Sequence, residues 1–292
     1  MSGGWIDKAT LRSILLFAFP AGVAVLGGKL NPQIDKYVVQ WVRGQGDFVL
    51  YGAGGWELPL VTLIPYAIGA VMQARYTRLF AQGKRDELRA LWLQTVRKTA
   101  LLVLPLSLML IALAEDAIVL VFGAEYAAAA PLFQIFTLTM LMRVAAYGPM
   151  LQSIGETRSL LVTSMLMLVT NLVLSYPFTL LFGFPGAAIA TVSSLIPTLA
   201  FTLWRIKLGF ACSWRDVMPW SHYLATLALG SAVAFGVWLL RDTLPVSPAA
   251  RLGIGAAVYV IAFTVLGRAL RLIGADDLDY VKRWLTLDML RG

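Results

Sequence analysis

The chain has 292 residues, 59% of them hydrophobic and only 14% charged, with a mean hydropathy of +0.76. An ordinary water-soluble domain carries about 25% charged residues, so this composition excludes one and marks an integral membrane protein. The formal charge of +8, from 24 Lys+Arg against 16 Asp+Glu, would suggest nucleic acid in a soluble protein, but here it is first a topology signal and no nucleic-acid partner is expected. One cysteine, Cys212, excludes an internal disulfide and a thiolate cluster, and one histidine, His222, excludes a multi-histidine site, so no metal or cofactor is expected.

Eight apolar stretches are long enough to cross a bilayer, and none alternates as a barrel strand would, so all are read as helices. The first runs from about Leu11 to Val42, and Pro20 and Pro32 inside it predict a kink or break. It does not read as a cleaved signal peptide, because the apolar pattern resumes at Tyr37 with no convincing cleavage site before it. The second runs from Phe48 to Phe80 and contains Pro59 and Pro65. The third runs from Asp86 to Leu113 and is long enough, at ~42 Å, to stand a turn or more out of the membrane. After the short apolar piece Ala117 to Phe122 comes a fourth span, Ala127 to Ser153. The fifth, Leu160 to Phe182, and the sixth, Ala187 to Ile206, form a hairpin about the turn Gly183 to Gly186. The seventh is Trp220 to Leu240 and the eighth Ala249 to Leu270. In the tail, Leu278, Val281, Leu285 and Met289 share one helical face, which suits the membrane interface.

Charge placement orients these spans. With the N-terminus in the cytoplasm, eighteen basic residues fall in inner segments, among them Lys8, Arg12, the run from Arg75 to Lys98, Arg158, Arg205, Lys207 and Arg268. The outer side holds only Arg43, Arg241 and Arg251, beside the acids Asp47, Glu115, Asp116, Glu125 and Asp242. That asymmetry follows the positive-inside rule and places both termini in the cytoplasm.

Three cations remain inside spans, and ionisable residues there are costly enough to be functional candidates. Lys29, Gln33, Lys36 and Gln40 share one face of the first span, with Asn31 and Asp35 on the other side. Such a face can hold a phosphate or diphosphate in a low-dielectric cleft. For Lys36, snorkelling to the outer interface is the open alternative. Arg143, near the middle of the fourth span with Tyr147 one turn on, should meet an anion, either a substrate phosphate or Asp35. Asp35 is also the single acid deep enough to serve as an ion-coupling site. Asn171 in the fifth span either bonds another helix or lines the cavity.

Several strings in order resemble the C-terminal half of polysaccharide-unit flippases of the multidrug/oligosaccharidyl-lipid/polysaccharide superfamily. They are Asp35-Lys36-Tyr37-Val38, Tyr51-Gly52-Ala53-Gly54, the basic turn Gln82 to Leu88, the outward turn Phe122 to Tyr126, the helix end Leu151 to Arg158, and the hairpin Gly183 to Ala188. The resemblance implies an all-α polytopic membrane protein with one six-helix lobe, residues 1–210, of a two-lobed flippase. Two additional helices, 211–272, and an amphipathic cytoplasmic tail, 273–292, would follow. It further implies a non-enzymatic transporter in a bacterial inner membrane that flips undecaprenyl-diphosphate-linked oligosaccharides of the O-antigen type for polysaccharide biosynthesis. Lys29, Gln33, Lys36, Arg143 and Tyr147 would contact the diphosphate and sugar, with Asn31 and Asn171 as further polar groups. Members of that family have more spans, so the chain is expected to need a first lobe, in the same or a separate chain, besides its lipid-linked oligosaccharide and membrane lipids. Two other classes stay open: a membrane-embedded polysaccharide polymerase or ligase, and a drug or ion antiporter working through Asp35.

Overall fold

The computed structural model describes residues 33–56, 59–241, 243 and 245–274, together with 7, 12 and 22. All regular structure among them is helical. The helices are α1 (33–43), α2 (Gln45–Gly54), α3 (Pro59–Ala81), α4 (Arg85–Ala112), α5 (Ala114–Phe122), α6 (Ala130–Met142), α7 (Tyr147–Ser153), α8 (Thr157–Phe182), α9 (Pro185–Phe210), α10 (Trp220–Arg241) and α11 (Pro248–Ala269). Among the described residues six spans, counting the stretch Ala124–Ser153 as one, are long and apolar enough to cross a membrane. Hydrocarbon offers the backbone no hydrogen-bond partner, and a helix satisfies its own N–H and C=O groups. Pro20, Pro32 and the tail beyond residue 274 lie outside the described residues.

The third, fifth, sixth, seventh and eighth predicted spans correspond to α4, α8, α9, α10 and α11, with ends moved by a few residues. Two predicted spans are broken. The stretch expected as one helix from Phe48 to Phe80 is α2 followed by α3. Gly54 and Gly55 weaken the helix at this point, and Pro59 suits the first position of a new one because its missing N–H would be unpaired there anyway. A Cβ on Gly54 would also stand 2.7 Å from the Leu132 side chain, so close packing requires glycine there.

The span expected from Ala127 to Ser153 is a 3-10 turn (Ala124–Ala129), α6 and α7, with residues 143–146 not helical. Pro149 explains the break, because in a continuous helix its ring would collide with the carbonyl of Ala145. Helix α6 therefore ends with exposed carbonyl valences, one of which, on Leu141, accepts a hydrogen bond from the Tyr223 hydroxyl at 2.8 Å.

The chain divides into two compact units. One contains Met1–Gly52, Gly69–Arg89 and Ala146–Val217; the other contains Ala53–Ile68, Ala90–Ala145 and Met218–Gly292.

In the first unit, α8 and α9 form the predicted hairpin. The residues that α8 buries are all polar: Ser159, Thr163, Asn171, Ser175 and Thr179. Its apolar side chains, including Val169, Leu172, Val173 and Leu181, are exposed, as suits a helix bathed in lipid. The facing residues of α9 are small or hydroxylated, among them Gly186, Ala187, Ala190, Thr191 and Ser194. This is association by close approach and hydroxyl contact, since burial of apolar surface drives nothing when the solvent is itself apolar. Near the start of α8, Glu156 pairs with Arg205 of α9, and its carboxylate accepts from Ser159 at 2.7 Å. Partial burial there opposes the charge, but hydrogen bonds from Arg205 and Ser159 outweigh it and hold the Glu156 carboxyl below its ordinary value. Gln73 of α3 donates to Gln152 of α7 at 2.7 Å, joining these two helices.

In the second unit, Leu108, Ala112 and Leu113 pack with Val233, Ala234 and Val237 of α10 and Tyr259 and Phe263 of α11. The sequence placed Glu115, Asp116, Arg241 and Arg251 together on the outer side as orienting charges. They are ion pairs as well: Asp116, only 2% exposed, lies 3.3 Å from Arg241 and 3.6 Å from Arg251, while Arg241 reaches Glu115 at 2.6 Å. The cluster ties α5 to α10 and α11.

Candidate functional site

At 100° per residue, α1 has two contrasting faces. Asp35 and Val39 are buried, while Gln33, Tyr37, Gln40 and Trp41 are exposed and Lys36 lies between the two sets, half-buried. A carboxylate 1% exposed in an apolar helix is costly unless other groups replace the lost water.

Helices α8 and α9 supply those groups. Asn171 Nδ2 donates to Asp35 Oδ1 at 2.7 Å, and Ser175 Oγ donates to the same oxygen at 2.9 Å. Thr191 of α9 donates to Oδ2. Ser175 Oγ also lies 3.0 Å from Asn171 Oδ1, which aligns the amide. The buried phenol of Tyr51, on α2, interacts with the same carboxylate. The spacing on α8 is one turn, so Asn171 and Ser175 project from the same side of the helix. Thr191 sits just beyond the small buried residues Gly186, Ala187, Ala188 and Ala190, which let α9 approach closely enough for its hydroxyl to reach.

The three hydrogen-bonding partners are neutral. A charge held by neutral dipoles keeps most of its attraction for a cation. The Asp35 carboxylate, the Asn171 carbonyl and the Ser175 and Thr191 hydroxyls together form an all-oxygen donor set, which suits a proton or a hard cation such as sodium.

The other predicted site residues are placed as follows. Gln33 and Lys36 are on α1 in the first unit, and Tyr147, half-buried, opens α7 in that unit. Arg143 belongs to the second unit, where it caps α6: its backbone N–H closes on the carbonyls of Thr139 and Met140 at 3.2 and 3.1 Å, and its side chain is half-buried. A cation at a helix C-terminus is favoured by the backbone dipoles. Lys29 and Asn31 lie outside the described residues. The structure thus joins Asp35 and Asn171, which the sequence had named separately. It adds Ser175 and Thr191, which had not been singled out, and Tyr51, which the sequence offers only as part of a family-like string. Ser175 could have been found as the residue one turn beyond Asn171; Thr191 is one of many threonines in these spans and carried no distinguishing signal.

Six apolar spans, two of which, α8 and α9, enclose a hydrogen-bonded carboxylate, mark a multipass membrane protein. A family model described as "Lipid II flippase MurJ" matches residues 6–245, and the chain belongs to that family. A curated relative, the "Probable lipid II flippase MurJ" of Vibrio cholerae serotype O1 (strain ATCC 39315 / El Tor Inaba N16961), is 23% identical over 289 residues, which cover 92% of this chain and 54% of the relative. A solved structure, "Lipid II flippase MurJ, inward closed conformation", has the same fold with a TM-score of 0.62 at 16% identity, over 91% of this chain and 57% of that one. The chain therefore spans about half the length of the relatives it matches. The resemblance read from the sequence led to polysaccharide-unit flippases; the match falls within the same superfamily but on the lipid II flippases, and the O-antigen assignment is not supported.

Proposed function

We propose that this chain supplies the second-lobe portion of an inner-membrane flippase that carries lipid II, the diphosphate-linked lipid precursor of peptidoglycan, from the cytoplasmic to the outer leaflet. The family match over residues 6–245 supports the substrate class, and the observation that carries the mechanism is the buried Asp35 site. A first lobe, in the same or a separate chain, completes the transport path. Lys29, Gln33, Lys36, Arg143 and Tyr147 contact the diphosphate and sugar, while both termini lie in the cytoplasm.

The physical logic is a division of labour. A diphosphate is the part of the substrate least able to enter hydrocarbon, and cations on the protein replace its water while the polyprenyl tail stays in lipid. Asp35 serves a different step. A cation or proton bound there neutralises the carboxylate and fastens α1 to α8 and α9; its release leaves a repelling negative charge and loosens the same helices. Binding energy at that site can thus bias one lobe conformation over another. No bond in the substrate is made or broken.

The test is translocation of a fluorescent lipid II by the native assembly in reconstituted vesicles. Lys36→Ala and Arg143→Ala are each expected to slow transfer about tenfold or more, the loss of one charge-assisted contact, with unchanged protein incorporation. Wild-type rates in both variants would overturn the assignment of the diphosphate site.

A further inference from the structure

On the side of α1 opposite Asp35, a second set of residues stands bare. Gln33, Tyr37, Gln40 and Trp41 fall within about 100° of arc, and Tyr37 and Trp41 are 69% and 79% exposed. Tyr176 of α8, itself 46% exposed, continues the surface: its ring centroid is 5.8 Å from that of Trp41, with the planes tilted by 31°. Lys36 borders this face, about 40° from Gln40 around the helix. The order along the helix is therefore amide, cation, ring, amide, ring.

Neither bulk lipid nor an aromatic belt accounts for this pattern. Hydrocarbon accepts the rings but cannot satisfy the donors and acceptors of the Gln33 and Gln40 amides. An interfacial belt explains tyrosine and tryptophan at headgroup depth, yet it sets no pattern of amides about two turns apart beside the rings. A pyranose ring has both complements. Its axial C–H face is apolar and flat enough to lie on an indole or phenol, and its equatorial hydroxyl and amide substituents need donors and acceptors at the edge. A diphosphate joined to the sugar would place its charge next to the ring, where Lys36 stands.

We infer that the exposed face formed by Gln33, Tyr37, Gln40, Trp41 and Tyr176 holds the sugar ring of the lipid-linked substrate, with Lys36 at its diphosphate. This rests on the flippase reading and specifies which part of the substrate each side chain meets. The aromatic residues act on the sugar alone, so their loss must separate glycan binding from diphosphate binding.

The experiment titrates the native assembly in lipid nanodiscs, by native mass spectrometry, with two probes: undecaprenyl diphosphate and N-acetylglucosaminyl-diphospho-undecaprenol. The wild type should prefer the sugar-bearing lipid. Trp41→Leu and Tyr176→Leu should weaken that lipid by about fivefold while the sugarless diphosphate binds as before, since one ring contact is removed and no charge is touched. Unchanged binding of the sugarless lipid also reports that the variants are folded, and Trp41→Phe, which keeps a ring, should recover most of the loss. If the wild type shows no preference, or the leucine variants bind both probes as the wild type does, or Trp41→Phe loses as much as Trp41→Leu, the sugar site is refuted while the diphosphate reading stands. If the wild type binds neither lipid, both fall.

Discussion

Replacing Asp35 with asparagine should leave the chain folded but remove its response to monovalent cations. The substitution keeps the volume of the side chain and an acceptor oxygen for Asn171 and Ser175, while its amide N–H can donate to the Thr191 hydroxyl oxygen, which donates to the second carboxylate oxygen in the native site. What disappears is the negative charge, and with it the attraction for a cation. If sodium occupies the site at about a hundredfold over its dissociation constant, the wild type gains roughly 2.7 kcal/mol, a gain absent from the variant. Thermal unfolding in detergent, scanned in sodium and in choline chloride, measures the difference directly. The wild type should melt higher in sodium and Asp35→Asn should not distinguish the two salts. Asp35→Ala should be worse than asparagine, because it removes the acceptor that Asn171, Ser175 and Thr191 share and leaves a cavity between α1, α8 and α9, at a cost of about 1–3 kcal/mol. Equal melting of the wild type in both salts, with acidification also without effect, would remove Asp35 from any coupling role.

The second large effect is steric. Gly186→Val should prevent the α8–α9 hairpin from closing, because a Cβ at this position would stand 2.0 Å from the Phe178 carbonyl oxygen and 2.3 Å from its carbon. Both are backbone atoms, so no rotamer change relieves the clash; one helix must move away from the other. Displacing α9 also withdraws Thr191 from Asp35, so the damage reaches the candidate ion site. A loss of about 3 kcal/mol or more is expected, at the upper end for overpacking, seen as a collapse in the yield of monodisperse protein. Gly236, on α10, is the control: a Cβ there meets nothing within 4 Å, and Gly236→Ala should leave yield unchanged or slightly higher.

The sequence made some of this legible and hid the rest for identifiable reasons. The ends of α4, α8, α9, α10 and α11 follow from apolar length and from punctuation such as Gly183, Pro185 and Pro248, which act locally. The break between α6 and α7 was masked because hydropathy averages over Val144, Ala145 and Ala146, which are as apolar as the helix around them; Pro149, four residues beyond Ala145, was the available sign. At the candidate site, Asp35 drew notice as a buried acid and Asn171 as a lone amide. They are separated by 136 residues, and nothing in local spacing joins them. Their meeting depends on the close packing of α8 on α9, a tertiary fact. The outer charges show the same limit: Asp116 and Arg241 were assigned to one side of the membrane by counting, but counting could not pair them. The family was visible at the level of the superfamily, while the branch emerged from comparison with its relatives.

The central claim, that this chain serves a lipid II flippase rather than an exporter of other polysaccharide units, is tested most directly by competition. The native assembly is saturated with fluorescent lipid II, and the label is displaced by unlabelled lipid II or by an undecaprenyl-diphosphate-linked O-antigen repeat. Lipid II should displace it at a concentration about tenfold lower or less, a difference of roughly 1.4 kcal/mol in binding. Equal displacement by the two lipids, or stronger displacement by the O-antigen repeat, would contradict the claim.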